Sequence, residues 1–222
     1  MDQRTSAIGT ASFLKSWAFY RNREWIKSVV SRIIISKATM NELEDSNMGV
    51  DVEDVVRRNR IMGMVRTWEK AGYARILQER DARESETFSF GETITGITSS
   101  EISSLLATKA LKIPILLSDS MEMKRIPPPG FENVRVVSSL DLLKDILAVR
   151  TGSGTEDQRR AIEINLRIFT AAVGPILDED TMERTVNEIY EKGKKPFRGQ
   201  QMEKWSRIRI REEIKMGTKG TP

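Results

Sequence analysis

The chain has 222 residues, enough for one ordinary domain with an extension and a sizeable core, and its 36 Lys and Arg against 32 Asp and Glu give a net charge of +4. It contains no cysteine and no histidine, which excludes disulfide frameworks, thiolate nucleophiles, Ser-His and Cys-His hydrolases and the usual zinc sites, and leaves carboxylates as the available metal ligands. No apolar run approaches the length of a membrane span and the opening residues MDQRTSAIGT do not form a signal peptide, so a cytoplasmic protein without a membrane partner is expected.

In chain order, Thr5 to Ile8 reads as a short strand feeding the tight turn Gly9-Thr10-Ala11-Ser12. A helix follows with Phe13, Leu14, Trp17 and Tyr20 as its apolar stripe. A second helical piece carries Trp25, Ile26, Val29 and Val30 and closes by Arg32, and Ile33-Ile34-Ile35 is the clearest buried strand. Ser36 and Thr39 cap a helix containing Met40, Glu42 and Leu43. From Val52 to Ala71 the apolar residues again follow helical spacing, with Gly72 as the stop. Tyr73 to Leu77 is the next strand, and the polar, charged stretch from Gln78 to Gly96 is expected to be a loop.

The stretch from Thr98 to Arg125 organises the rest. Ser99 and Ser100 are N-cap choices for a helix with Ile102, Leu105, Leu106 and Ala110 on one face, which puts Glu101 in its first turn. Lys112, Ile113 and Pro114 break that helix. Ile115-Leu116-Leu117 then reads as a strand buried on both faces, with Asp119 just past its carboxyl end, where open parallel sheets bind ligands. Pro127-Pro128-Pro129-Gly130 forces a turn-rich connection, Val134 to Val137 is a last strand, and Leu140, Leu143, Ile146 and Leu147 mark a helix.

The order of these pieces resembles the PIN domain, a family of metal-dependent nucleases in which a Glu or Asp opens a small-residue helix and the next strand ends in Ser/Thr-Asp before a basic helix. The matching pieces are SSEISSLLAT and ILLSDSMEMKR. ISKATMNELE is similar to the family's short x-x-E-L helix after the second strand, and NVRVVSSLDLL to its closing strand and helix. The resemblance implies a three-layer α/β domain with a mainly parallel central sheet. It also implies that Glu42, Glu101 and Asp119 are catalytic, metal-binding carboxylates, with Glu44 as the neighbour of Glu42. Such a cluster would hold Mg²⁺ or Mn²⁺ and hydrolyse a phosphodiester. Read without the family, Glu42 and Glu101 are also favourable first-turn charges, and Asp119 is an acid that must face a loop or a cleft.

The family's first strand normally ends in an Asp followed by Thr or Ser. AIGTASFLKSW is similar to that motif, with Gly9 in the Asp position. Two functions therefore stay open: a ribonuclease impaired by loss of its first acid, and a catalytically inactive PIN-like module that binds nucleic acid or a protein partner. A helical scaffold unrelated to nucleases is a third class.

Thr151-Gly-Ser-Gly-Thr155 reads as a linker, dividing a PIN-like domain over 1–150 from a helical extension over 151–222. The extension is expected to hold helices through Ile164 and Ile168, through Met182, Val186 and Ile189, and through Met202, Trp205 and Ile208. From Lys192 onward there are ten Lys and Arg against Glu203, Glu212 and Glu213, so this end carries +7 and the remainder −3. Lys194, Lys195, Arg198, Arg207, Arg209 and Arg211, interleaved with Phe197 and Trp205, are the expected contacts to a phosphate backbone, of RNA first and DNA second. A homodimer or a protein partner is also compatible with the chain.

Overall fold

A computed structural model of the chain describes residues 5–45, 52–77, 97–125, 130–150, 155–173 and 177–194. Among these residues five strands pair entirely in parallel: β1 Thr5–Gly9, β2 Val30–Ile35, β3 Ala74–Ile76, β4 Ile115–Leu117 and β5 Arg135–Val137. Their order across the sheet is β3-β2-β1-β4-β5. The chain winds outward from β1 through β2 to β3, then returns to the other side of β1 for β4 and β5. The point where the winding reverses lies between the carboxyl ends of β1 and β4, the usual ligand crevice of such sheets.

Both faces of the sheet are covered, which gives the three-layer α/β arrangement. On one face Ile8, Ile34 and Leu116 pack with Leu105, Ala107, Met123 and Phe131. Residues one position along, Ala7, Ile33 and Ile35, face the other way and are fully buried too. This is why β2 reads as a continuous apolar run rather than an alternation. The strand also starts earlier than that run. Arg23–Ser28 forms only a 3₁₀ helix, and Val30 to Arg32, expected to close a helical piece, instead join β2, where Val30 pairs with Thr5. β-branched Val29 and Val30 favour the extended backbone that a parallel partner makes available.

The helices are α1 Ala11–Trp17, α2 Lys37–Asp45, α3 Val52–Lys70, α4 Ser99–Ala110, α5 Met121–Arg125, α6 Ser139–Arg150, α7 Glu156–Val173 and α8 Glu179–Lys194. α3 stops at Gly72, whose φ of +71° is the left-handed conformation that glycine adopts without cost. α4 ends in a Schellman arrangement, Ile113 N–H donating to Thr108 C=O at 2.8 Å and Lys112 N–H to Lys109 C=O at 3.2 Å. Lys112 sits in the left-handed region there with φ +53°.

The chain divides into two compact units, Met1–Ile146 with Arg167–Ile176, and Leu147–Leu166 with Leu177–Pro222. The end of α7, from Arg167 to Val173, therefore belongs to the first unit. There Phe169 meets Tyr20 edge-on at 5.5 Å and Trp17 at 6.1 Å, extending an aromatic cluster begun by Phe13 and Trp17. The buried stripe of α7 is Ile162, Leu166 and Phe169, whereas Ile164 is 56% exposed. In the second unit Met182, Val186 and Ile189 are buried as their spacing predicts, and Arg159 donates to Asn187 at 3.3 Å and lies 3.6 Å from Glu183. The loop expected over 78–96, all of the linker expected over Thr151 to Thr155 except Thr155, and the helix expected through Met202, Trp205 and Ile208 lie outside the described residues. No described helix is long and apolar enough to cross a membrane.

Candidate functional site

A hydroxyl follows the carboxyl end of four strands: Thr10 after β1, Ser36 after β2, Ser118 after β4 and Ser138 after β5. Each stitches the loop it begins. Thr10 Oγ1 donates to Leu117 C=O at 2.9 Å and accepts from Phe13 N–H at 3.4 Å, so one side chain caps α1 and ties it to β4. Ser36 accepts from Thr39 N–H at 3.1 Å to cap α2, and Thr39 Oγ1 reaches Ser104 of α4 at 3.0 Å. Ser12 Oγ lies 3.0 Å from Thr10 Oγ1 and 3.3 Å from Ser118 Oγ, and accepts from Asp119 N–H at 3.2 Å. The crevice between β1 and β4 is thus bridged by hydroxyls.

The three expected acids lie along this edge, each engaged by protein donors. Glu42 projects from α2 toward the start of α4, where Ser100 Oγ donates to it and Thr98 Oγ1 lies 3.5 Å away. Its other oxygen takes the Lys15 ammonium at 3.0 Å. Burial alone would raise the Glu42 carboxyl, but the Ser100 and Lys15 hydrogen bonds, with the Lys15 charge, hold it below its ordinary value. Lys15, Asn41, Glu42, Asp45, Thr98 and Ser100 line an open groove here.

Glu101 is buried and hydrogen-bonded within its own helix start. The N-cap of α4 is Thr98, one or two residues before the expected serines, and Glu101 completes a capping box: its carboxylate accepts Thr98 N–H at 3.0 Å while Thr98 Oγ1 accepts Glu101 N–H at 3.3 Å. Asp119 spends both oxygens on Ser139, accepting its N–H at 2.7 Å and its hydroxyl at 2.5 Å. That N–H is one of the orphan donors in the first turn of α6, whose N-cap is Ser138.

Gly9 carries no side chain, and the surroundings leave little room for one. A Cβ built there would sit 3.1 Å from Ile33 Cγ2 and 3.9 Å from Leu14, both fully buried. Tested as a metal centre, the set does not fit as it stands. Among the described residues no three acidic side chains are grouped to hold an ion; Glu42 accepts from Lys15 and Ser100, Glu101 from Thr98 and Asp119 from Ser139. Of the expected nucleic-acid contacts, Lys194 is the last residue of α8, and Lys195, Arg198, Arg207, Arg209 and Arg211 lie outside the described residues.

Lys15, Ser118 and Ser139 shape this edge and were not singled out from the sequence, whereas Ser100, expected as an N-cap, donates to Glu42 instead. The signal for the serines was a hydroxyl after nearly every strand, in GTAS, ISKAT, LSDS and VSS. Lys15 gave none, since its partner lies on another helix. No protein-family model matches the chain, nor does any curated protein or solved structure.

Proposed function

We propose that this chain is a non-hydrolytic binding module of PIN-like architecture that holds RNA through its basic C-terminal segment. One observation carries the reading: each acid of the expected catalytic set is committed to a protein donor, and Lys15 places a fixed positive charge on Glu42. The parallel five-strand sheet supports the PIN-like part. The RNA part rests on the +7 charge from Lys192 onward and on Phe197 and Trp205 as stacking surfaces. The hydrolytic alternative, Mg²⁺ or Mn²⁺ on Glu42, Glu101 and Asp119, requires these carboxylates to be brought together first.

Fluorescence anisotropy with a labelled single-stranded RNA tests this reading. Binding should be equal in EDTA and in Mn²⁺. Replacing Lys194, Lys195, Arg198, Arg207, Arg209 and Arg211 together by Gln should weaken binding and reduce the log–log salt slope by about 4, at roughly 0.7 per phosphate contact on a single strand. An unchanged affinity and slope would refute the assignment of that segment to RNA.

A further inference from the structure

The outer face of α3 is unusual for a solvent-facing helix. Val52 is 76% exposed, Val56 59% and Val55 38%. Val52, Val56, Asn59, Gly63 and Arg66 follow one another at intervals of four, three, four and three residues, the spacing of a coiled-coil seam. Below the valines lies a depression lined by Glu44, Arg58, Asn59, Met62, Gly63 and Arg66. Four of these residues, 59, 62, 63 and 66, stand at i, i+3, i+4 and i+7, the diamond that receives a knob in knobs-into-holes packing. Its floor is open, because a Cβ on Gly63 would meet nothing within 4 Å.

We propose that α3 is a homodimerisation surface on which two copies pair antiparallel about a twofold axis at Asn59. Knob and hole lie on the same helix on either side of Asn59, Val56 three residues before it and Gly63 four after. A twofold axis there sets Val56 of each copy over the Gly63 hole of the other, and a surface that fills its own hole is what an isologous interface requires. Asn59 then faces its own copy, a position where a polar residue fixes register. Charge agrees with this orientation. The twofold axis at Asn59 brings Glu53 and Asp54 in the first turn of one α3 beside Arg66 of the other, and antiparallel pairing opposes the helix dipoles. The exposed valines supply apolar surface on either side of Asn59.

The absence of cysteine from the chain makes a direct test available. Analytical ultracentrifugation of the full chain should show a dimer, and Gly63→Leu, which fills the hole, should weaken it at least tenfold while circular dichroism shows the fold retained. Under mild oxidation Asn59→Cys should give a disulfide-linked dimer and Val52→Cys should not. In an antiparallel pair the two copies of residue 52 are about 21 Å apart along the axis, at 1.5 Å per residue, against the ~7 Å limit between Cα atoms of a disulfide. A monomer at 100 μM (about that concentration being ample for such a face), a dimer indifferent to Gly63→Leu, or equal cross-linking through both thiols would overturn the proposal.

Discussion

The Lys15 ammonium lies 3.0 Å from Glu42 Oε1, so the groove beside α4 contains its own cation. Glu42 titrates below its ordinary 4.5 in the folded protein. Its stabilising effect is fully present above the unfolded-state pKa and is lost as pH falls through the lower folded value. Glu42→Gln should therefore flatten the acid limb of a stability–pH profile measured by urea denaturation between pH 6 and pH 3 (a span of about one to two units either side of the carboxylate range). Lys15→Met should do the same in part, leaving the contribution of Ser100. A profile that keeps its acid slope in Glu42→Gln would mean that the ion pair does not form in solution.

Asp119 holds the first turn of α6 through Ser139. Asp119→Ala should cost about 1–2 kcal/mol of stability, the range for losing a helix-terminal acceptor that serves both a backbone N–H and a hydroxyl. Chemical denaturation checks this. A carboxylate kept for catalysis would show the opposite pattern, with stability unchanged or improved on its removal.

Glu101 distinguishes a cap from a metal ligand by chemistry alone. A capping box accepts Gln at its third position almost as well as Glu, whereas Ala cannot return the hydrogen bond to Thr98. Glu101→Gln should stay within about 0.5 kcal/mol of the parent and Glu101→Ala should lose about 1 kcal/mol. Equal losses from both would show that charge, rather than capping, is what this position supplies.

The order of strands and helices was legible because it depends on apolar runs and short-range signals. Ile33-Ile34-Ile35 and Ile115-Leu116-Leu117 are buried on both faces as their composition requires, and Gly72 ends α3 where it was expected to. The acids were legible in position, and their hydrogen-bond partners were not. Glu101 shares the pattern of a capping box with Thr98, visible as T-x-x-E, yet the same residue also opens a small-residue helix in the manner of PIN nucleases. Asp119 and Ser139 are 20 residues apart, and Lys15 and Glu42 are 27 apart on different helices. Such pairings depend on how two loops meet at the sheet edge, which no local spacing encodes. The aromatic contact of Phe169 with Trp17 and Tyr20, which places the end of α7 in the first unit, was hidden for the same reason.

Gly9 offers a test of whether a first acid can be restored. Its backbone is not left-handed, so side chains are permitted there in principle, but the first atom of any of them meets Ile33 Cγ2 at 3.1 Å. Gly9→Ala should cost about 1 kcal/mol or more through crowding, and Gly9→Asp should cost more again because the carboxylate begins against buried Ile33 and Leu14. We expect titration calorimetry to show no gain in Mn²⁺ affinity for Gly9→Asp. A folded Gly9→Asp protein that binds Mn²⁺ at least tenfold tighter would show that the neighbouring acids are free to converge on an ion.

Cleavage of RNA is the most direct measurement. Purified full-length protein incubated with a 5′-labelled single-stranded RNA, in Mn²⁺, in Mg²⁺ and in EDTA, should leave the RNA intact in all three while still shifting it on a native gel. Metal-dependent cleavage that disappears in Glu42→Gln and in Asp119→Asn would contradict the reading of these carboxylates as structural and identify the chain as a nuclease.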